Sequence, residues 1–142
     1  MRSIQIGARP PSGSMNLQLI YRITGIAVFI QLALGGLVTF NYLDAGIHIV
    51  WGVIVGVLVI VTLVFALRLK PRPKQLVGIT AGLGVDMLLQ AILGFAALGT
   101  GNNVISWVHF LNSLAIYGMG VAATFMAMGV GRMMAQQSAA VS

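Results

Sequence analysis

The chain contains four long apolar runs joined by short links, and this pattern leaves few folds open to it. The runs cover about residues 19–39, 47–67, 76–98 and 104–130. Each is close to the ~20 residues that an α-helix needs to cross the hydrocarbon of a bilayer. Strands can cross a bilayer only in a closed barrel with alternating polarity, and these runs do not alternate. The sequence therefore predicts four transmembrane helices.

The links between the runs are too short for anything but an up-down arrangement. Residues 41–46 and 99–103 form the first and last links, and Pro71 and Pro73 separate the second helix from the third. Neighbouring helices should therefore lie side by side and antiparallel. We predict an all-α membrane protein: an up-down four-helix transmembrane bundle over residues 19–134, preceded by a tail of residues 1–18 and followed by a flexible tail of residues 135–142.

The charged residues are few and are distributed unevenly between the predicted sides. Only 7% of the residues are charged, against about 25% in soluble domains. All eight basic residues fall on one side: Arg2, Arg9, Arg22, Arg68, Lys70, Arg72, Lys74 and Arg132. The opposite links carry only Asp44. The positive-inside rule predicts a multi-pass cell-membrane protein with both termini in the cytoplasm, and topology together with anionic lipid explains the net charge of +6 without nucleic acid.

An internal repeat relates the two halves of the chain. The first and third runs share a spacing of glycine, glutamine and glycine, offset by 59 residues: Gly25, Gln31 and Gly35 recur as Gly84, Gln90 and Gly94. The only two histidines follow these copies, with an offset of 61 residues. The chain is therefore interpreted as two repeated helical hairpins, each with a histidine near the start of its second helix.

The two histidines, His48 and His109, are the strongest candidates for a binding site. Their helices should occupy diagonal corners of the bundle, roughly 13 Å apart. Imidazole is a normal axial ligand of haem iron, and Gly52 and Ser113, one turn further along, would leave room for a flat macrocycle. We predict that both histidines ligate the iron of one haem b. The alternative is that each histidine only forms hydrogen bonds between helices.

Other polar and aromatic residues of the runs are placed relative to this site. Gln31 and Gln90 are costly in lipid, so they should face the bundle and bond each other, the histidines or the macrocycle. Trp107, at the outer interface, is predicted to contact a haem edge. Asp86 is the only acid inside a run, and either a proton-handling role or a contact with Gln90 or Tyr117 would explain it. With no cysteine, c-type haem attachment and thiolate metal sites are excluded.

Four segments resemble the haem A synthase family: residues 31–38, 48–52, 89–94 and 107–115. Usual members have eight spans in two four-helix halves, and half-sized relatives with four spans also exist. The resemblance covers about residues 20–130 and implies haem chemistry at the outer side of a respiratory membrane, with His48 and His109 as the paired histidines. Members usually carry a glutamate where this chain has Ala45, with Asp44 one position further away, and many carry outer-loop cysteines that this chain lacks. These departures favour haem binding over oxidation of a haem methyl group.

The leading functional prediction is an electron-transfer cytochrome that belongs to a respiratory or related membrane complex. Its expected partners are membrane lipid and either other subunits of that complex or further copies of the chain. Two alternatives stay open. One is a half-sized haem A synthase-like enzyme, and the other is a haem-free accessory or assembly subunit of a larger oxidase. A carrier or complex subunit is preferred to a stand-alone enzyme, because two histidine ligands would leave no iron position open for oxygen. Small size, short loops and the lack of another catalytic constellation keep the accessory subunit open.

Overall fold

Four helices account for nearly all of the chain. The computed structural model describes the backbone of residues 12–141 and the side chains of residues 16–140. The helices are α1 (Ser12–Thr39), α2 (Ala45–Arg68), α3 (Lys74–Thr100) and α4 (Asn103–Val141). Within residues 12–141 there is no β-strand. The predicted all-α class is therefore confirmed.

Local capping explains where α2 and α4 begin. The Asp44 carboxylate accepts a hydrogen bond of 2.7 Å from the backbone N–H of Gly46 and so caps α2. The side-chain oxygen of Asn102 accepts from the backbone N–H of Val104 at 2.8 Å and caps α4 in the same way. Between α3 and α4, Gly101 adopts a left-handed φ of 61°, which glycine accommodates without steric cost. These caps keep the two links short.

The helices pack in chain order around the bundle. Contacts join α1 to α2, α2 to α3, α3 to α4 and α4 back to α1, so in the described part of the chain α1 lies diagonal to α3, and α2 to α4. The end where α1–α2 and α3–α4 are linked is called the histidine end here, and the end with the Arg68–Lys74 link is called the basic end. The described basic residues of the links and of α4 lie at the basic end and are exposed, whereas Asp44 lies at the other end.

The bundle has an apolar exterior and a partly polar interior. Large side chains such as Leu88, Ile92 and Phe95 are more than 60% exposed. The interior toward the basic end contains a buried hydrogen bond of 2.7 Å between Tyr21 and Thr80, and Thr24 and Thr62 are buried there as well. Water-soluble proteins usually bury their large apolar side chains and expose their polar ones. All four helices are long and apolar enough to cross a membrane.

The helix bounds differ from the predicted runs at both ends of the chain. Helix α1 begins at Ser12, within the segment predicted as an N-terminal tail. Helix α4 continues to Val141, so most of the predicted flexible tail of residues 135–142 is helical. Both extensions are more polar than the runs themselves, so the apolar pattern ends before the helices do. Arg2, Arg9 and the other residues of 1–11 lie outside the described part.

Candidate functional site

The two histidine rings meet in the interior at the histidine end. His48 lies in the first turn of α2 and His109 in the second turn of α4. Although these helices are diagonal, the ring centres of His48 and His109 are only 6.3 Å apart, and the ring planes are nearly perpendicular, at 82°. The side chains therefore span the diagonal that separates their backbones. Both rings are half-buried.

This spacing matches two imidazoles on opposite sides of one metal ion. A ring nitrogen binds a metal at about 2.0 Å, and standard bond lengths put the ring centre about 1.2 Å behind that nitrogen. Two ligands on one axis therefore have ring centres about 6.4 Å apart. The observed separation of 6.3 Å agrees with this value. The ring centres are therefore spaced as in an axial pair of imidazoles.

A glycine of the neighbouring helix accommodates each ring. A Cβ atom placed on Gly35 would lie 3.0 Å from Cε1 of His48, and one placed on Gly94 would lie 2.9 Å from Cε1 of His109. Ordinary carbon–carbon contacts are about 3.5–4.0 Å. The repeated glycine at the end of each Gln-x3-Gly spacing is therefore required for the histidine rings to approach the backbones of α1 and α3.

Hydrogen bonds to α3 fix the tautomer of His109. Its Nδ1 lies 3.1 Å from the backbone carbonyl of Gln90, which can only accept, so Nδ1 carries the proton. Its Nε2 is consequently the unprotonated nitrogen, and it accepts from the side-chain amide of Gln90, whose Nε2 lies 3.4 Å away. Histidines that bind metals typically donate their other N–H to a carbonyl or carboxylate in this way. The Gln90 carbonyl thus leaves Nε2 as the nitrogen of His109 that could bind a metal.

Asn112 connects this histidine to the acid inside α3. Its side-chain amide donates to Oε1 of Gln90 at 2.9 Å and to Oδ1 of Asp86 at 3.0 Å. The amide of Gln90 in turn donates to the backbone carbonyl of His109 at 3.0 Å. Asp86 therefore faces α4. Asn112, rather than Gln90 or Tyr117, is the partner of Asp86.

The first hairpin holds its histidine with fewer hydrogen bonds. The side-chain nitrogen of Gln31 lies 3.3 Å from Nε2 of His48. The ring of His48 also interacts with the Gln31 backbone, but Nδ1 of His48 and Oε1 of Gln31 are buried and have no hydrogen bond of standard geometry. The expected contact between each glutamine and its histidine is present in both hairpins, and the supporting network is present only in the second.

The repeat is preserved as a pattern of contacts even where the residues differ. Trp51 and Asn112 occupy equivalent positions on α2 and α4. The indole N–H of Trp51 donates to the backbone carbonyl of Ala27 at 3.0 Å, and Ala27 is the equivalent of Asp86, which accepts from Asn112 at 3.0 Å. The same pair of positions therefore joins the helices of each hairpin by a hydrogen bond. The acceptor is a backbone carbonyl in the first hairpin and a side-chain carboxylate in the second.

The remaining predicted site residues lie around or outside this cluster. Gly52 adjoins the amide of Gln31, because a Cβ atom there would lie 2.9 Å from Nε2 of Gln31. The hydroxyl of Ser113 donates to the backbone carbonyl of Phe110 within α4, at 2.5 Å. Trp107 is 64% exposed, and its ring packs edge-on against Phe110, so the structure does not bring it to the histidines.

The side chains of the site supply two metal ligands and several amide groups. In the described part of the chain, no group of three or more His, Cys, Asp or Glu residues is arranged to hold a metal ion. Two imidazoles alone provide two ligands, and a tetrapyrrole provides four more. The residues present are therefore suited to an iron that carries its other ligands with it.

Comparison with models of protein families, with curated proteins and with solved structures finds no match for this chain. The resemblance to the haem A synthase family accordingly rests on the quoted segments, and it stays a prediction.

Proposed function

We propose that this chain is a multi-pass membrane protein that binds one haem b between His48 and His109 and carries electrons. The observation that supports the proposal most strongly is the 6.3 Å separation of two imidazole rings that come from diagonal helices. The histidines occupy equivalent positions of the two hairpins, which points to one shared site rather than two separate contacts. The hairpins themselves are proposed to derive from a duplication.

The chain's own residues would do three things in such a protein. His48 and His109 would bind the iron through Nε2, and the Gln90 carbonyl would keep Nδ1 of His109 protonated. Gly35 and Gly94 would let the rings lie close to the neighbouring helices. The apolar exterior would exclude water from the site. A bound haem would supply a one-electron iron couple, and two axial nitrogens leave no iron position open, which favours electron transfer over oxygen activation.

The membrane arrangement is part of the same proposal. Both termini and the basic end would face the cytoplasm, and the histidine end would face outward, because the basic residues of the links lie at one end. The expected setting is a respiratory or related complex in the cell membrane, with other membrane subunits or further copies of the chain as partners. A nucleic-acid partner is not expected.

The visible spectrum of the purified protein tests the haem proposal. We expect a low-spin b-type spectrum in the parent and weakened or lost haem in His48→Ala and His109→Ala. Tyr21→Phe is a matched control, because it removes a buried hydrogen bond to Thr80 at the other end of the bundle and leaves the histidines untouched. A well-folded parent without haem, or unchanged low-spin haem in both histidine variants, would refute the proposal.

Pigment analysis separates the carrier from the half-sized haem A synthase-like alternative. An enzyme of that kind would convert the haem that it receives, so haem A or a haem O-derived product would accumulate with the protein. A carrier would retain haem b alone.

A haem-free accessory subunit is the second candidate function, and one observation favours it. Each histidine already has a glutamine amide within 3.3–3.4 Å of its Nε2, so the rings can be held by contacts between helices alone. In that case the histidine variants would lose stability, and the parent would show no haem spectrum.

A further inference from the structure

The two histidines occupy equivalent positions, but the surrounding hydrogen bonds restrain them to different degrees. Around His109, the two amide hydrogens of Gln90 are directed to the carbonyl and Nε2 of His109, and Oε1 of Gln90 accepts from Asn112. The second hydrogen of the Asn112 amide is directed to Asp86. The side-chain polar atoms of Gln90 and the amide hydrogens of Asn112 are thus all used, so Gln90 has a single well-defined orientation.

The corresponding positions of the first hairpin do not build this chain of bonds. Ala27 stands where the second hairpin has Asp86, and Trp51 stands where it has Asn112. Trp51 donates to the Ala27 backbone and not to Gln31. Oε1 of Gln31 and Nδ1 of His48 are left buried without a hydrogen bond of standard geometry. The His48 ring still interacts with the Gln31 backbone, but no chain of side-chain hydrogen bonds orients Gln31 as Asn112 and Asp86 orient Gln90, so the His48 ring is restrained less.

We propose that His109 is the fixed ligand of the site and His48 the exchangeable one, so that a small diatomic molecule can take the place of His48. Asn112 and Asp86 are then positioning residues, which act on His109 through Gln90. The inference rests on the proposed haem. It states that the two histidines, although they occupy equivalent positions, differ in how readily another ligand replaces them. Exchange breaks the bond from iron to Nε2 of His48 and forms a bond to the incoming molecule, with no change in the number of electrons.

Nuclear magnetic resonance of the haem-free protein tests the unequal restraint directly. The chain has only two histidines, so a sample labelled with ¹⁵N-histidine and carrying a histidine-free purification tag gives signals from those two rings alone. We expect one ring, assigned to His109 by its loss in His109→Ala, as a pure Nδ1–H tautomer with a slowly exchanging proton. The His48 ring should show a tautomer mixture or fast exchange.

Haem retention and carbon monoxide binding test the exchangeable side. His48→Ala should retain haem more weakly than the parent and bind carbon monoxide in the reduced state, whereas His109→Ala should retain less haem than His48→Ala. Asn112→Leu should weaken retention by roughly 10–100-fold and broaden the His109 signal. Trp51→Phe is the matched control at the equivalent position and should behave like the parent. Asp86→Asn, which keeps an acceptor for Asn112, should lose less haem than Asn112→Leu.

The outcomes distinguish this inference from the proposed function. Haem in the parent together with equal loss in both histidine variants, or two rings with the same tautomer and exchange, would overturn the inequality and leave haem binding intact. A folded parent without haem would overturn both proposals. If His109→Ala does not fold, the His109 signal is assigned as the one that remains in His48→Ala. Asn112→Leu and the labelled haem-free parent then decide the question, because neither removes a histidine.

Discussion

Replacing Gly94 by alanine should displace His109 from its position, and the structure gives the size of the displacement. The new Cβ atom would lie 2.9 Å from Cε1 of His109. A normal carbon contact is about 3.5–4.0 Å, so the ring has to retreat by roughly 0.6–1 Å. The ring cannot retreat freely from α3, because its Nδ1 is hydrogen-bonded to the backbone carbonyl of Gln90, which lies on α3 as Gly94 does.

The energetic consequence follows from this conflict. Overpacking of a well-packed site costs typically about 1–3 kcal/mol. If the cost falls on the ligand-binding geometry, haem retention weakens by roughly 10–100-fold, since about 1.4 kcal/mol corresponds to a factor of ten. Gly35→Ala makes a similar contact with His48, at 3.0 Å. Its effect should be smaller, because the His48 ring is less restrained and can move aside.

Gly82→Ala provides the control on the same helix. A Cβ atom at Gly82 meets nothing within 4 Å, so this variant should be neutral or slightly stabilising. The assay is haem content after gel filtration at graded haem concentrations, combined with the free energy of unfolding in detergent. If Gly94→Ala and Gly82→Ala behave alike in both measurements, the tight glycine–histidine contact is not a determinant of the site, and the reasoning is refuted.

Three further predictions concern topology and buried polar contacts. Single cysteines introduced near either terminus of this cysteine-free chain should react with membrane-impermeant reagents only from the cytoplasmic side, and labelling from outside would contradict the proposed orientation. Asp86→Leu should lower the free energy of unfolding by about 1–3 kcal/mol, because it leaves one hydrogen of the Asn112 amide without its acceptor. Asp86→Asn should lower the free energy of unfolding by less. Equal free energies for the parent and Asp86→Leu would argue against an inward role. Tyr21→Phe should cost about 0.6–1.7 kcal/mol through loss of the hydrogen bond to Thr80, and a double-mutant cycle with Thr80→Val that gives no coupling would rule this bond out as a source of stability.

The sequence predicts the four helices and the pairing of the site residues, because both depend on regular spacing. Long apolar runs predict helices of membrane-spanning length, and the repeat puts one glutamine and one histidine in each hairpin. Of the partners that the sequence leaves open for the glutamines, the structure shows the histidine of the same hairpin. The glycines of the repeat were visible as a spacing, but their contact with the rings depends on how closely α1 approaches α2 and α3 approaches α4. A one-dimensional pattern does not contain that distance.

The part of the site that sequence reasoning missed is Asn112. It lies within a segment quoted for the family resemblance, and the signal that could have identified it is the cost of an amide inside an apolar run, three residues after His109. The choice among acceptors was also beyond the sequence: Asp86, Gln90 and Tyr117 lie on neighbouring turns of α3 and α4. Only the packing of α3 against α4 decides that Asn112 meets both Asp86 and Gln90.

The shallow position of the histidines has a consequence for how a redox partner would meet this protein. His48 is in the first turn of α2, and each residue of a helix adds about 1.5 Å of depth, so the site lies only a few ångströms below the α1–α2 link. The links at that end carry a single exposed charge, on Asp44, within the described residues. Collisions on this face would gain little from long-range attraction, so we expect electron-exchange rates that change little between low and high ionic strength, unlike those of partners drawn together by opposite charge.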